Sequence, residues 1–161
     1  MKTAVLCAGI GLFACALQSA DWPQWRGPER NGITKETGLL KEWPKEGPKL
    51  LWQRKDLGSG YSTPSVVGEG LYLLSNQGME NESVQALNVK DGKEIWSVRI
   101  GKVGPNEGPQ YPGSRSTPTV DGQVLYALGS DGDLACLETG TGKIRWQKNL
   151  RSDFDGKPGK W

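Results

Sequence analysis

The strongest constraint on this chain is a stretch that occurs twice, at two different spacings. Ser62-Thr63-Pro64-Ser65-Val66 matches Ser116-Thr117-Pro118-Thr119-Val120, and Leu71-Tyr72 matches Leu125-Tyr126, both at an offset of 54. Ala86-Leu87 matches Cys136-Leu137, and Gly92-Lys93-x-x-Trp96 matches Gly142-Lys143-x-x-Trp146, at an offset of 50. The first copy therefore carries four extra residues between its matched blocks, and residues 76–83 are where they fit. A repeat of this length, made of short apolar runs and glycine-marked turns, belongs with radially repeated sheets rather than helical solenoids.

Each copy divides into four strands. Ser-Thr-Pro-x-Val opens the first, where proline is tolerated at a strand start. A glycine turn leads to an apolar second strand, residues 71–75 or 124–128, and the third covers residues 84–88 or 134–138. Asp91-Gly92, or Thr139-Gly140-Thr141-Gly142, makes the next tight turn. The fourth strand alternates, with Trp96, Val98 and Ile100 on one face and Ser97 and Arg99 on the other. The 23 glycines and 10 prolines in the chain suit many turns between short strands. This predicts an all-β propeller of four-stranded blades, with blades over 61–101 and 115–151. An N-terminal extension is expected over 21–49, and Leu50-Leu51-Trp52 predicts a lone outer strand over 50–58 that closes a ring. Residues 152–161 read as the start of the next connection. Two blades leave the ring incomplete, so the chain is expected to be a fragment. Exposed blade faces would then favour self-association.

The first twenty residues have a different character. Lys2 precedes an uncharged, mostly apolar run over residues 4–17, and Ser19-Ala20 precedes the polar Asp21. That is the layout of a signal peptide, residues 1–20, too short to span a bilayer. Two readings of its end stay open. One is cleavage after Ala20; the other is a lipid anchor on Cys15. Either reading predicts an exported protein in the periplasm or outside the cell. Cleavage after Ala20 leaves Cys136 as the only cysteine, expected as a small buried strand residue. No histidine is present, which removes the usual general base and the commonest metal ligand. The net charge of +2, with scattered basic residues, gives no nucleic-acid footprint. Gly140-Thr141-Gly142-Lys143 lacks the serine or threonine of a phosphate loop, and Asp131-Gly132-Asp133 lacks the ligand spacing of a calcium loop, so both read as turns.

The run from Asp121-Gly122 through Leu125-Tyr126-Ala127-Leu128 to Gly142-Lys143-Ile144-Arg145-Trp146 resembles the PQQ-like, quinoprotein-type propeller repeat with its tryptophan docking motif. Trp22-Pro23-Gln24-Trp25-Arg26-Gly27-Pro28 is similar to the opening of secreted bacterial propellers of that group. The resemblance implies an eight-bladed ring, which would need roughly 400 residues at this repeat length. Trp52, Trp96 and Trp146, with Gly92 and Gly142, are then the blade-docking positions. Alanine at Trp96 or Trp146 is expected to cost about 3–5 kcal/mol. In a propeller, the turn between the second and third strands lies on the same face as the connection to the next blade. The insertion at 76–83 and the loop 101–114 therefore share one face, where binding residues are expected. Tyr61 and Arg115 occupy matching positions at the start of the innermost strands, and with Tyr111 they are the ligand-facing candidates. Two functions follow. The first is a non-catalytic binding or scaffold module for an envelope protein or polymer, with no cofactor, no metal and no catalytic residue. The alternative is a piece of a quinoprotein alcohol or sugar dehydrogenase using PQQ with calcium. The adjacent cysteine pair that the resemblance associates with such alcohol dehydrogenases does not occur here.

Overall fold

The computed structural model describes residues 20–104 and 111–157. Residues 1–19, with Cys15, and the chain end at Lys160-Trp161 lie outside the described residues. Among the described residues, eight strands form two four-stranded antiparallel sheets in simple up-and-down order. The first sheet contains β1 (Ser65–Val67), β2 (Gly70–Gln77), β3 (Asn81–Asn88) and β4 (Glu94–Gly101). The second contains β5 (Thr119–Asp121), β6 (Val124–Leu128), β7 (Asp133–Glu138) and β8 (Ile144–Asn149). Antiparallel neighbours need only tight turns, and positive-φ glycines supply them at Gly92 (φ 69°) and Gly142 (φ 71°). Both sheets carry the same register shift just before the fourth-strand tryptophan, at Ala86/Leu87 and at Cys136/Leu137. The repeat thus extends to a shared bulge, which turns the tryptophan ring out of the sheet.

The four-residue insertion lengthens a hairpin rather than adding a loop. In the second sheet the β6–β7 ladder ends at Leu128↔Leu134, which matches Leu74↔Val84. The first sheet continues through Ser75↔Ser83, Asn76↔Glu82 and Gln77↔Asn81.

One tryptophan docks on each sheet. The Trp96 indole N–H donates to the Thr139 carbonyl at 2.9 Å, and the ring lies so close over Gly142 that a Cβ there would stand 2.7 Å from it. Trp52 repeats the arrangement one step earlier, donating to the Val89 carbonyl at 2.7 Å and covering Gly92. The glycine therefore serves the turn and the docking ring at once. Around Trp96, the buried side chains of Tyr72, Leu74, Val84, Ala86 and Ile100 pack against Val120, Leu125, Ala127, Ala135 and Leu137, forming one core between the blades. Tyr126 and Trp146 repeat the Tyr72–Trp96 contact, with centroids 6.1 Å apart in both pairs. Cys136, buried and unpaired in any disulfide, is the small residue between them, as Ala86 is in the first sheet.

Two expectations depend on a neighbouring blade that the described residues do not contain. Residues 50–58 form no strand, because no strand stands beside them to pair with among the described residues; Leu50 and Leu51 are exposed although Trp52 docks. Trp146 is 42% exposed while Trp96 is 8% exposed, since no further sheet covers it among the described residues.

Candidate functional site

The lengthened β2–β3 hairpin holds two chain segments beside it. Ser59 and Asn76 exchange both backbone hydrogen bonds, at 2.9 and 2.8 Å, which fixes residues 58–61 along the extra rungs. The Tyr61 N–H then donates to the Ser114 carbonyl at 2.8 Å, tying in the segment that leads to β5. Gly113 makes this approach possible: its φ is 117°, and a Cβ would fall 2.4 Å from the Asn76 side-chain oxygen.

Those ties bring together the three residues singled out as ligand-facing. The Tyr61 and Tyr111 rings meet edge to face, 6.0 Å between centroids at 88°. The Arg115 guanidinium lies 5.8 Å from the Tyr61 centroid and donates to the Tyr111 carbonyl at 2.6 Å. Each tyrosine is more than half exposed. The cluster therefore presents two exposed aromatic rings with an arginine held over one of them, suited to contacts with aromatic groups. The rest of the 101–114 loop, residues 105–110, lies outside the described residues.

Below the cluster sits a feature that the sequence reading missed. Glu82, on the added rungs opposite Asn76, is fully buried against the second blade. Its Oε2 accepts hydrogen bonds from the Ser130 backbone N–H at 2.8 Å and the Ser130 hydroxyl at 3.0 Å. Burial pushes the Glu82 carboxyl above its ordinary value; hydrogen bonding by Ser130 offsets part of this, and Asp133 adds to it. The offset change from 54 to 50 was the available signal, since it locates the rungs that carry Glu82.

Both motif look-alikes are turns with structural partners. Asp131 pairs with Arg151 at 2.7 Å and faces Lys102 at 3.8 Å. These three residues line an open groove of ≈ 950 Å³ together with Met79, Glu80 and Asp155. Asp133 accepts from the Asn149 amide at 3.0 Å. Among the described residues, no three His, Cys, Asp or Glu side chains come together as a metal set. No helix of the described residues is long and apolar enough to cross a membrane.

Residues 30–159 match the family described as outer membrane protein assembly factor BamB. The curated BamB of Salmonella typhimurium is 36% identical over 79 residues, which are 48% of this chain and 20% of that protein. The BamB of Yersinia pestis is 34% identical over 97 residues, 60% of this chain and 24% of that protein. This chain thus spans about a fifth to a quarter of the length of these curated relatives. Among solved structures, quinohemoprotein alcohol dehydrogenase from Comamonas testosteroni superposes with a TM-score of 0.61 at 20% identity, covering 89% of this chain and 21% of that one. At that identity the likeness establishes the β-propeller fold alone.

Proposed function

The chain belongs to the family described as outer membrane protein assembly factor BamB, and from that premise we propose that it is an exported, non-catalytic binding module of the cell envelope. It works without a bound cofactor and presents a preorganised contact face to an envelope protein. The observation that carries this reading is the convergence of Tyr61, Tyr111 and Arg115 beside the one hairpin that the sequence lengthens. Rigid blades hold these side chains in place, which lowers the entropic cost of docking a partner. The name shared by the relatives points to a component of outer-membrane protein assembly as the partner class.

A photo-crosslinking residue placed at position 61 or 111 of the exported chain tests this. It should trap one envelope protein, identified by mass spectrometry as an assembly component, and Arg115→Ala should weaken the product. Retention of PQQ after incubation with calcium, together with dye-linked alcohol oxidation, would refute the reading.

A further inference from the structure

The first strand of each blade has one edge paired with its neighbour and the other turned toward the propeller axis. In both blades that inner edge is taken by the same short segment, residues 21–23. The Trp22 N–H donates to the Val66 carbonyl at 2.7 Å, and the Val66 N–H returns to the Trp22 carbonyl at 3.0 Å. The Asp21 carboxylate accepts from the Gly68 N–H at 2.8 Å, where β1 ends. One residue further, the Pro23 carbonyl accepts from the Val120 N–H of β5 at 2.8 Å. Three backbone N–H groups of two sheets are thus satisfied by three consecutive residues.

The local sequence is built for that task. Pro23 has no N–H, so it accepts from β5 through its carbonyl but cannot donate back to it. After Pro23 the chain turns back at once: the Gly27 N–H donates to the Gln24 carbonyl at 3.0 Å, and the Gln24 amide donates to the Gly27 carbonyl at 3.0 Å. Gly27 has φ 72°, and a Cβ there would lie 2.8 Å from the Trp22 ring. The turn thereby clamps Trp22 in the extended pose that its backbone pairing needs.

We propose that the inner edges of β1 and β5 form one binding site for an extended peptide, and that residues 21–23 of the same chain are its resident occupant. The strap joins the two blades at the axis and closes their inner edges to other extended segments. Another strand gains these N–H groups only by displacing it.

Native-state hydrogen exchange on the intact chain tests the proposal. The Val66, Gly68 and Val120 amides should exchange through one shared local opening, well below the opening energy of Leu74 and Leu137. In Trp22→Pro, which removes one strap N–H, and in Gly27→Ala, which pushes on the ring, all three should exchange about tenfold faster or more while Leu74 and Leu137 hold. A synthetic peptide of residues 20–28 added to either variant should restore protection, and a scrambled peptide should not. Separate openings for Val66 and Val120 in the unaltered chain would overturn the proposal, even if both variants unfolded. Failure of the peptide to protect variants that remain folded would overturn it as well.

Discussion

Glycine and glutamate positions give the sharpest tests at the level of single residues. Gly142 carries φ 71° beneath the Trp96 ring, whereas a Cβ on Gly140 in the same turn would meet nothing within 4 Å. Gly142→Ala should therefore lower stability by about 1–3 kcal/mol, and Gly140→Ala by no more than about 0.5 kcal/mol. Chemical denaturation of the two variants checks the contrast; equal losses would remove the docking ring as the reason for the glycine. Glu82 gives a pH prediction. Its carboxyl titrates higher in the folded chain than in the unfolded one, so the folded state holds its proton longer. The stability this contributes is full below the unfolded value, near the ordinary 4.5, and is lost as pH rises through the folded value. Glu82→Gln should flatten that decline while keeping an oxygen for the Ser130 donors. Urea midpoints between pH 4 and pH 8 will show this, and identical slopes for the two proteins would contradict it.

At the scale of elements, the strands were legible because their signals are local. Alternating apolar residues on β4 and glycine punctuation before β2, β4 and β6 depend on neighbours a few residues away. What the insertion becomes was not legible, since four extra residues can make a loop or extend the ladder, and only cross-strand pairing decides. Glu82 was hidden for the same reason. Its burial comes from Ser130 on another blade, 48 residues away in sequence. Tyr61 and Arg115 could be paired by their shared offset, yet their meeting with Tyr111 depends on Asn76 tying down residues 58–61. The lengthened hairpin thus acts as the support for the candidate site. Deleting residues 77–80 should leave both sheets folded but release Ser59 and Tyr61. Val103, whose N–H donates to the Met79 carbonyl at 2.8 Å, should be released with them. Amide exchange at Tyr61 and Val103 should rise at least tenfold with Leu125 and Leu137 unchanged, roughly the difference between a local opening and the global one. Continued protection of Tyr61 would mean that the hairpin does not support the cluster.

For the whole molecule, the two ends of the blade pair are not equivalent. On the first blade the docking slot at Val89 and Gly92 is filled by Trp52 of the same chain. On the second blade, Trp146 is 42% exposed and Leu128 38% exposed, beside the partly buried Tyr126. Head-to-tail stacking of copies would require Trp146 to displace Trp52, so an open filament is disfavoured. Face-to-face pairing through the Trp146 surface meets no such competitor, and it closes after two copies. Copies of this blade pair, taken alone, are therefore expected to form a concentration-dependent dimer through this face. Sedimentation velocity should show Trp146→Arg as a monomer at concentrations where the unaltered chain dimerises. The same contrast separates the roles of the two tryptophans in stability. Trp96→Ala removes a ring enclosed between two blades and should cost about 3–5 kcal/mol. Trp146→Ala, measured on dilute monomer, should cost less than half as much, because much of its ring already faces water. If the monomer loses equally at both positions, the Trp146 face is covered within the chain itself, and the dimer must form elsewhere.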